Sequence, residues 1–225
     1  MNNEPTAYQW ALPEGVNVPR DDLKVRLDFY QETVVMYLLE SGTITTRVVS
    51  ARDIALALLK GVPLSSGLLP EGALWWRQGK DGIEVALWRP PKVWPVALQL
   101  EPFKPPRRFR LPMPGLIFVC SPGRPPRVYA AKRRPQASEE HVYHAPLFNV
   151  FHDGRTCAGS HRYPDRIEEM PESFMVSFFT VDAQWQGRSQ RYPNDLLQLW
   201  QEIDGKRRYP MGDLVPLGRL EEIIK

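Results

Sequence analysis

Hydrophobic and polar positions alternate in short bursts along this chain, and turn residues bound the bursts. Two β-rich runs, Val34–Leu39 and Thr43–Val49, flank "ESG" and predict a hairpin. Ser50 stands at a helix N-cap position with Asp53 three residues on. Together they open "ARDIALALLKG", a short apolar helix closed by Gly61. A second hairpin is predicted in "ALWWRQGKDGIEVALW", with arms Leu74–Arg77 and Ile83–Trp88 and the turn "GKDG". Near the other end, Pro193 and Asn194 introduce "DLLQLWQEIDG", an amphipathic helix stopped by Gly205. "MPESFMVSFFTV" reads equally as helix or strand, and the first two dozen residues as a ragged lead-in.

Between Pro90 and Pro135 lie twelve of the 23 prolines. Each removes a ladder donor and fixes φ, so only short strands fit between them: "VALQL", "RRFRL", "GLIFVC" and "RVYAA". Strands come mostly first and the clear helix last. The expected class is α+β, an antiparallel β-meander with flanking helices. Residues 1–70 are expected to form a hairpin-and-helix segment packed on a second domain, 71–225.

Composition changes this picture little. With 43% hydrophobic and 11% aromatic residues, 225 residues suffice for a packed core. Two cysteines make no disulfide framework, no signal peptide is visible, and no apolar run approaches a membrane span. The expected protein is cytoplasmic, with reduced thiols and no membrane partner. Charge is more informative. From Arg89 to Arg134 there are eleven Lys/Arg and one acid, Glu101, about +10 against about −7 for the rest. Arg107, Arg108, Arg110, Arg133 and Arg134 are the densest cations. With Phe109 and Tyr129 for stacking, they suit a non-catalytic module docking nucleic acid or, better, an acidic protein.

The chemistry gathers in "NVFHDGRTCAGSH", Asn149–His161, which holds one of the two cysteines and two of the four histidines. Cys120 closes an apolar strand and reads as a core residue. Cys157 has small and polar neighbours, and Arg155 beside it would favour a thiolate, so it can serve as nucleophile or ligand. His141-x-x-His144 and Cys157-x-x-x-His161, with His152 as a spare, supply zinc-type donors. No second cysteine lies nearby, though, and the halves match no common zinc spacing, so neither metal nor cofactor is expected. Phosphate-loop, dinucleotide, HExxH and GxSxG motifs are absent from the sequence.

Asn149 precedes Cys157 by eight positions and Gly154 precedes it by three. The Pro-punctuated strand "LPMPGLIFVC" and the turn "GRPPRVYAA" come before them. This arrangement resembles ubiquitin-conjugating enzymes, with their strand meander, "PP" turn, His-Pro-Asn and Gly-x-x-Cys loop. More narrowly, "PLFNVFHDGRTCAGSHRYPD" resembles the B proteins of PRTRC systems, prokaryotic ubiquitin-conjugating-like family D. Leu147 and Phe148 stand where that pattern has His-Pro. The resemblance implies a cysteine acyltransferase that takes a ubiquitin-like protein from a ThiF-type adenylating enzyme to an amine acceptor. A JAB-type peptidase would belong to the same system. It further implies Cys157 as nucleophile, Asn149 as oxyanion donor and Gly154 as the loop turn. Supporting roles fall to His144, His152, His161, Arg155 and Asp153, with Asp165 another acidic candidate.

Overall fold

The computed structural model describes residues 24–31, 33–40, 43–61, 67–79, 82–157, 159–181 and 186–224. The predicted ragged lead-in up to residue 23 and the tips of both predicted hairpins lie outside them. The chain divides into two compact units, residues 1–65 and 66–225.

The first unit is an antiparallel sheet of β1 (Val25–Phe29), β2 (Val34–Glu40) and β3 (Thr43–Val49), followed by α1 (Ala51–Gly61). The β2–β3 hairpin is the predicted one, in the register Val34↔Val49 to Glu40↔Thr43. Ser50 caps α1 as expected, its Oγ accepting from Asp53 N at 3.0 Å. The pattern reading does not anticipate β1, although Val25, Leu27 and Phe29 alternate with Arg26 and Asp28 at the strand period.

The second unit holds two sheets. Its early strands are β4 (Ala73–Gly79), β5 (Gly82–Arg89), β6 (Lys92–Gln99), β7 (Arg107–Met113), β8 (Gly115–Cys120) and β9 (Arg127–Ala131). Later come β10 (His141–His144), α2 (Met170–Val176), β11 (Phe178–Thr180), α3 (Leu196–Ile203), β12 (Pro216–Arg219) and α4 (Leu220–Ile224). Six strands pair antiparallel in the order β12-β10-β9-β8-β5-β4; three more form a mixed sheet in the order β11-β6-β7, with β6 antiparallel to β7 and parallel to β11. The class is the expected one, α+β with mostly antiparallel sheets.

The Pro-rich strands are shared between these sheets. β5 skips β6 and pairs with β8, so β6 and β7 leave as a separate hairpin. Pro90-Pro91 and Pro114 sit at the two exits, where a broken ladder releases the chain from one sheet to the other. β6 runs through Pro95 and is longer than the proline rule suggests. Its neighbour β11 reaches only Ala97–Gln99, so Pro95 lies where no second ladder needs its missing donor.

"MPESFMVSFFTV" resolves into both of its readings. Helix α2 ends at Val176, and β11 then runs parallel to β6. Asp195 caps α3, accepting from Leu197 N and Gln198 N.

Strand β8 is buried on both faces, which explains its unbroken apolar sequence. Leu116, Phe118 and Cys120 join β5, β6, β7, α2 and α3 in the main core; Ile117 and Val119 face a smaller cluster with Trp88, Tyr129 and Leu220. Gly115 is required there, because a β-carbon on it would collide with the Trp88 indole. Trp200 centres the main core, with Phe109, Phe148 and Phe179 set edge-on at 4.8–5.7 Å.

Candidate active site

Residues 149–157 fold into a miniature hairpin. Cys157 N donates to Asn149 O at 2.8 Å, and Phe151 N to Arg155 O at 2.6 Å. Val150 and Thr156 form an antiparallel bridge between them, and Gly154 N closes the turn on Phe151 O at 2.9 Å. The Asn-to-Cys spacing is thus a register. The two residues face each other across the base of the loop, with residues 152–154 as its turn.

The loop is tied to β9 and the turn before it. Val128 N donates to Gly154 O at 2.7 Å, Tyr129 OH to Asp153 O at 2.9 Å, and Thr156 Oγ1 to Pro126 O at 2.7 Å. Gly154 has φ +85°, and a β-carbon there would stand 2.5 Å from Tyr129 Cζ, so backbone and neighbour both demand glycine. Tyr129 and Phe109, read from sequence as free to stack, are buried at 2% exposure. Tyr129 braces the loop and Phe109 packs on Trp200.

Asn149 takes the left-handed conformation, φ +60°, which its type tolerates better than most. Its side chain reaches outward to β11. Nδ2 donates to Phe178 O at 3.0 Å, and Oδ1 accepts from Thr180 N at 3.1 Å. A carbonyl and an amide two residues apart are the pair a neighbouring strand would engage. The Asn149 amide therefore acts as one rung of a missing strand on the free edge of β11. One Nδ2 hydrogen remains for another acceptor.

Cys157 is an exposed free thiol, whereas Cys120 is fully buried, and burial pushes its thiol up to about 12. Arg155 is turned to Asp153, with Nε at 2.6 Å from the carboxylate, and its side chain is engaged there rather than at the thiol. His161 leaves the loop to meet Ser173 of α2, Nε2 to Oγ 2.9 Å, and lies edge-on to Tyr163 at 4.8 Å. Tyr163 was not singled out from sequence. It is buried beside Thr156, Ser177 and Cys157, and burial is the main reason its phenol is pushed up to about 12.

Behind the loop lies a buried cation that the sequence does not flag. Arg188, 2% exposed, places Nη1 2.6 Å from His144 Nδ1 and donates from Nη2 to Val150 O at 2.8 Å. His144 is held neutral, its titration lowered to about 4 by burial and then by the charges of Arg188 and His152. The His152 ring meets it edge-on at 4.6 Å. Ahead of the loop, Leu147 and Phe148 are fully buried core residues, and the Trp200 indole donates to Pro146 O at 2.9 Å. Apolar packing thus anchors the segment at the two positions where the sequence departs from the His-Pro-Asn pattern it resembles.

The structure gathers Asn149, His152, Asp153, Gly154, Arg155 and Cys157 into one loop, with His144 beneath it. The basic residues lie elsewhere. Arg107 covers the Phe109 ring at 4.7 Å, and Arg108 and Arg110 are exposed on β7. Arg133 pairs with Glu140 and Arg134 with the Ala73 carbonyl. Among the described residues no group of three or more His, Cys, Asp or Glu could hold a metal ion, so the zinc-type spacings are not brought together. Among them, too, no helix is long and apolar enough to cross a membrane.

The model of prokaryotic E2 family D matches residues 57–217, well over half of the chain. The chain belongs to prokaryotic E2 family D. This places the family D protein among E2-like proteins of ubiquitin-type conjugation and agrees with its α+β core. The match takes in the whole of the loop and every residue bonded to it. Comparison with curated proteins and with solved structures gave no match.

Proposed function

We propose that this protein carries a ubiquitin-like protein as a thioester on Cys157 and passes it to an amine. The carrying observation is the exposed Cys157 thiol pinned across the loop base from Asn149, in a chain of the E2-like family. In the first step the Cys157 thiolate attacks the thioester carbonyl on a ThiF-type adenylating enzyme. The carbon–sulfur bond to that enzyme breaks and its thiolate leaves. An acceptor amine then attacks the Cys157 thioester, loses a proton to the medium or a nearby base, and releases the Cys157 thiolate. Acyl activation is conserved through the first exchange, so this step needs no ATP.

The tetrahedral intermediate of either step carries an oxyanion, and the free Nδ2 hydrogen of Asn149 is the proposed donor. Loss of one such donor costs on the order of 2.7–4 kcal/mol of barrier. The resemblance to PRTRC-type B proteins belongs to this proposal, as does a JAB-type peptidase of the same system as a partner.

The test is a mixture of protein, adenylating enzyme, ATP and ubiquitin-like partner. An adduct sensitive to added thiol is expected, lost in Cys157→Ala and kept in Cys120→Ala. An adduct that survives Cys157→Ala would overturn the assignment.

A second reading, a non-catalytic docking module, draws on Arg108 and Arg110, exposed on the edge strand β7 with no side-chain bond among the described residues. It expects retention on DNA or an acidic protein that falls steeply with salt and is lost in the Arg108→Glu, Arg110→Glu pair. Retention insensitive to that pair would remove it.

A further inference from the structure

Burying a guanidinium is costly unless its donors are satisfied, and a carboxylate partner is the usual remedy. Among the described residues Arg188 has none within hydrogen-bonding distance. Asp213, the buried carboxylate of a neighbouring segment, is engaged by Ser189, Arg191 and Tyr209. Asp153 acts on Arg188 only through space, and its oxygens are held by Arg155. Arg188 Nε has no partner among the described residues. What Arg188 does reach is one ring nitrogen and one peptide carbonyl, His144 Nδ1 and Val150 O. Val150 is the residue after Asn149 and forms the bridge to Thr156, so its peptide is the middle rung of the thiol loop.

Among the described residues few groups face Arg188. From β10 comes His144; from the loop come Val150 O, Asp153 and, through the His144 ring, His152. A protonated His144 could not accept from a guanidinium, so the pair requires a neutral ring with its proton on Nε2. Such a pair is closed to proton transfer at Nδ1. It can hold a position.

We infer that Arg188, seated on neutral His144, is a positioning residue that sets the loop carrying Cys157, gripping it from beneath at Val150. For its effect on acyl loading the inference rests on the thioester reading; its effect on loop geometry does not. His144 is then the platform for Arg188 and takes no part as a general base. This assigns a role to a residue 31 positions beyond the cysteine, in a segment with no motif.

The test uses the full chain and two readouts. One is amide hydrogen exchange at Cys157 and Phe151, whose N–H groups make the loop's own bonds, with Phe118 in β8 as internal reference. The other is the time course of loading from the adenylating enzyme. Arg188→Met is expected to speed exchange of both loop amides about tenfold or more while Phe118 is unchanged. It is also expected to lower the maximal loading rate about tenfold without moving the half-saturating concentration of the charged adenylating enzyme. Should Arg188→Met not fold, the His144 pair decides. His144→Leu removes the acceptor and reproduces the loop-specific loss, whereas His144→Gln keeps an acceptor oxygen and stays within about threefold of the parent. Loop amides that stay protected in Arg188→Met and His144→Leu overturn the inference, as does loss of protection spread equally to Phe118. If the parent forms no adduct but the exchange pattern holds, the thioester reading fails and the positioning role stands.

Discussion

Asn149→Ala separates what this side chain does for the fold from what it does for chemistry. The change removes the donor to Phe178 O and the acceptor from Thr180 N, two well-formed bonds at 3.0 and 3.1 Å. Each is worth about 0.5–1.5 kcal/mol net, together about 1–3. Alanine must also hold φ +60°, which costs about 1 kcal/mol more. The expected loss is therefore about 2–4 kcal/mol. Urea unfolding followed by tryptophan fluorescence reads it directly, and Trp200 is a reporter in the core next to β11. The midpoint temperature should fall on the order of 5–15 °C. Asn149→Gly recovers the strain but not the bonds, and should sit between alanine and the parent. An oxyanion donor with no structural role would leave stability untouched and lower only the rate. If Asn149→Ala unfolds within about 0.5 kcal/mol of the parent, the strand-rung account of Asn149 is refuted.

Other expectations follow from the same structure. In native protein one thiol, Cys157, should react with iodoacetamide, and Cys120 only after denaturation, as peptide mapping of the labelled protein will show. His144 is neutral in the fold and protonates near its ordinary value when unfolded. Its contribution is thus complete above about pH 6.5 and is lost as pH falls toward 4, on the order of 3 kcal/mol in all. Urea midpoints across that range should fall, and should flatten in His144→Gln; an unchanged slope would count against neutral His144. Gly115→Ala forces the Trp88 indole aside and should cost about 1–3 kcal/mol, measured by the same unfolding assay. A Gly115→Ala protein as stable as the parent would show that the indole has room to move.

What was legible in the sequence was local. Both hairpins could be read because their alternation and turn residues lie within a few positions of one another, and Ser50 with Asp53 marked a cap for the same reason. Sheet membership was not legible. Whether β5 pairs with β6 or with β8 depends on contacts across 30 residues, and the parallel pairing of β11 with β6 crosses some 80. In the site, Asn149, Gly154 and Cys157 could be read because a small hairpin writes its register into sequence spacing. Arg155 was visible, but its engagement with Asp153 was not, since a neighbouring carboxylate competes for it. Arg188 carries no signal at all. The first arginine of "GRSQRYP" looks like any solvated one, and only the fold shows it buried against His144 and Val150.

The described hydrogen bonds that hold the thiol loop from its far side come from residues later in the chain than the thiol itself: Phe178 and Thr180 for Asn149, Arg188 for Val150. The ribosome therefore delivers Cys157 before any of them. A nascent or prematurely released chain that stops short of residue 178 carries the cysteine on a loop hydrogen-bonded only to β9 and its preceding turn among the described residues. The geometry of the loop thus arrives late in synthesis, and on the proposed thioester reading an incomplete chain lacks the bonds that set its cysteine.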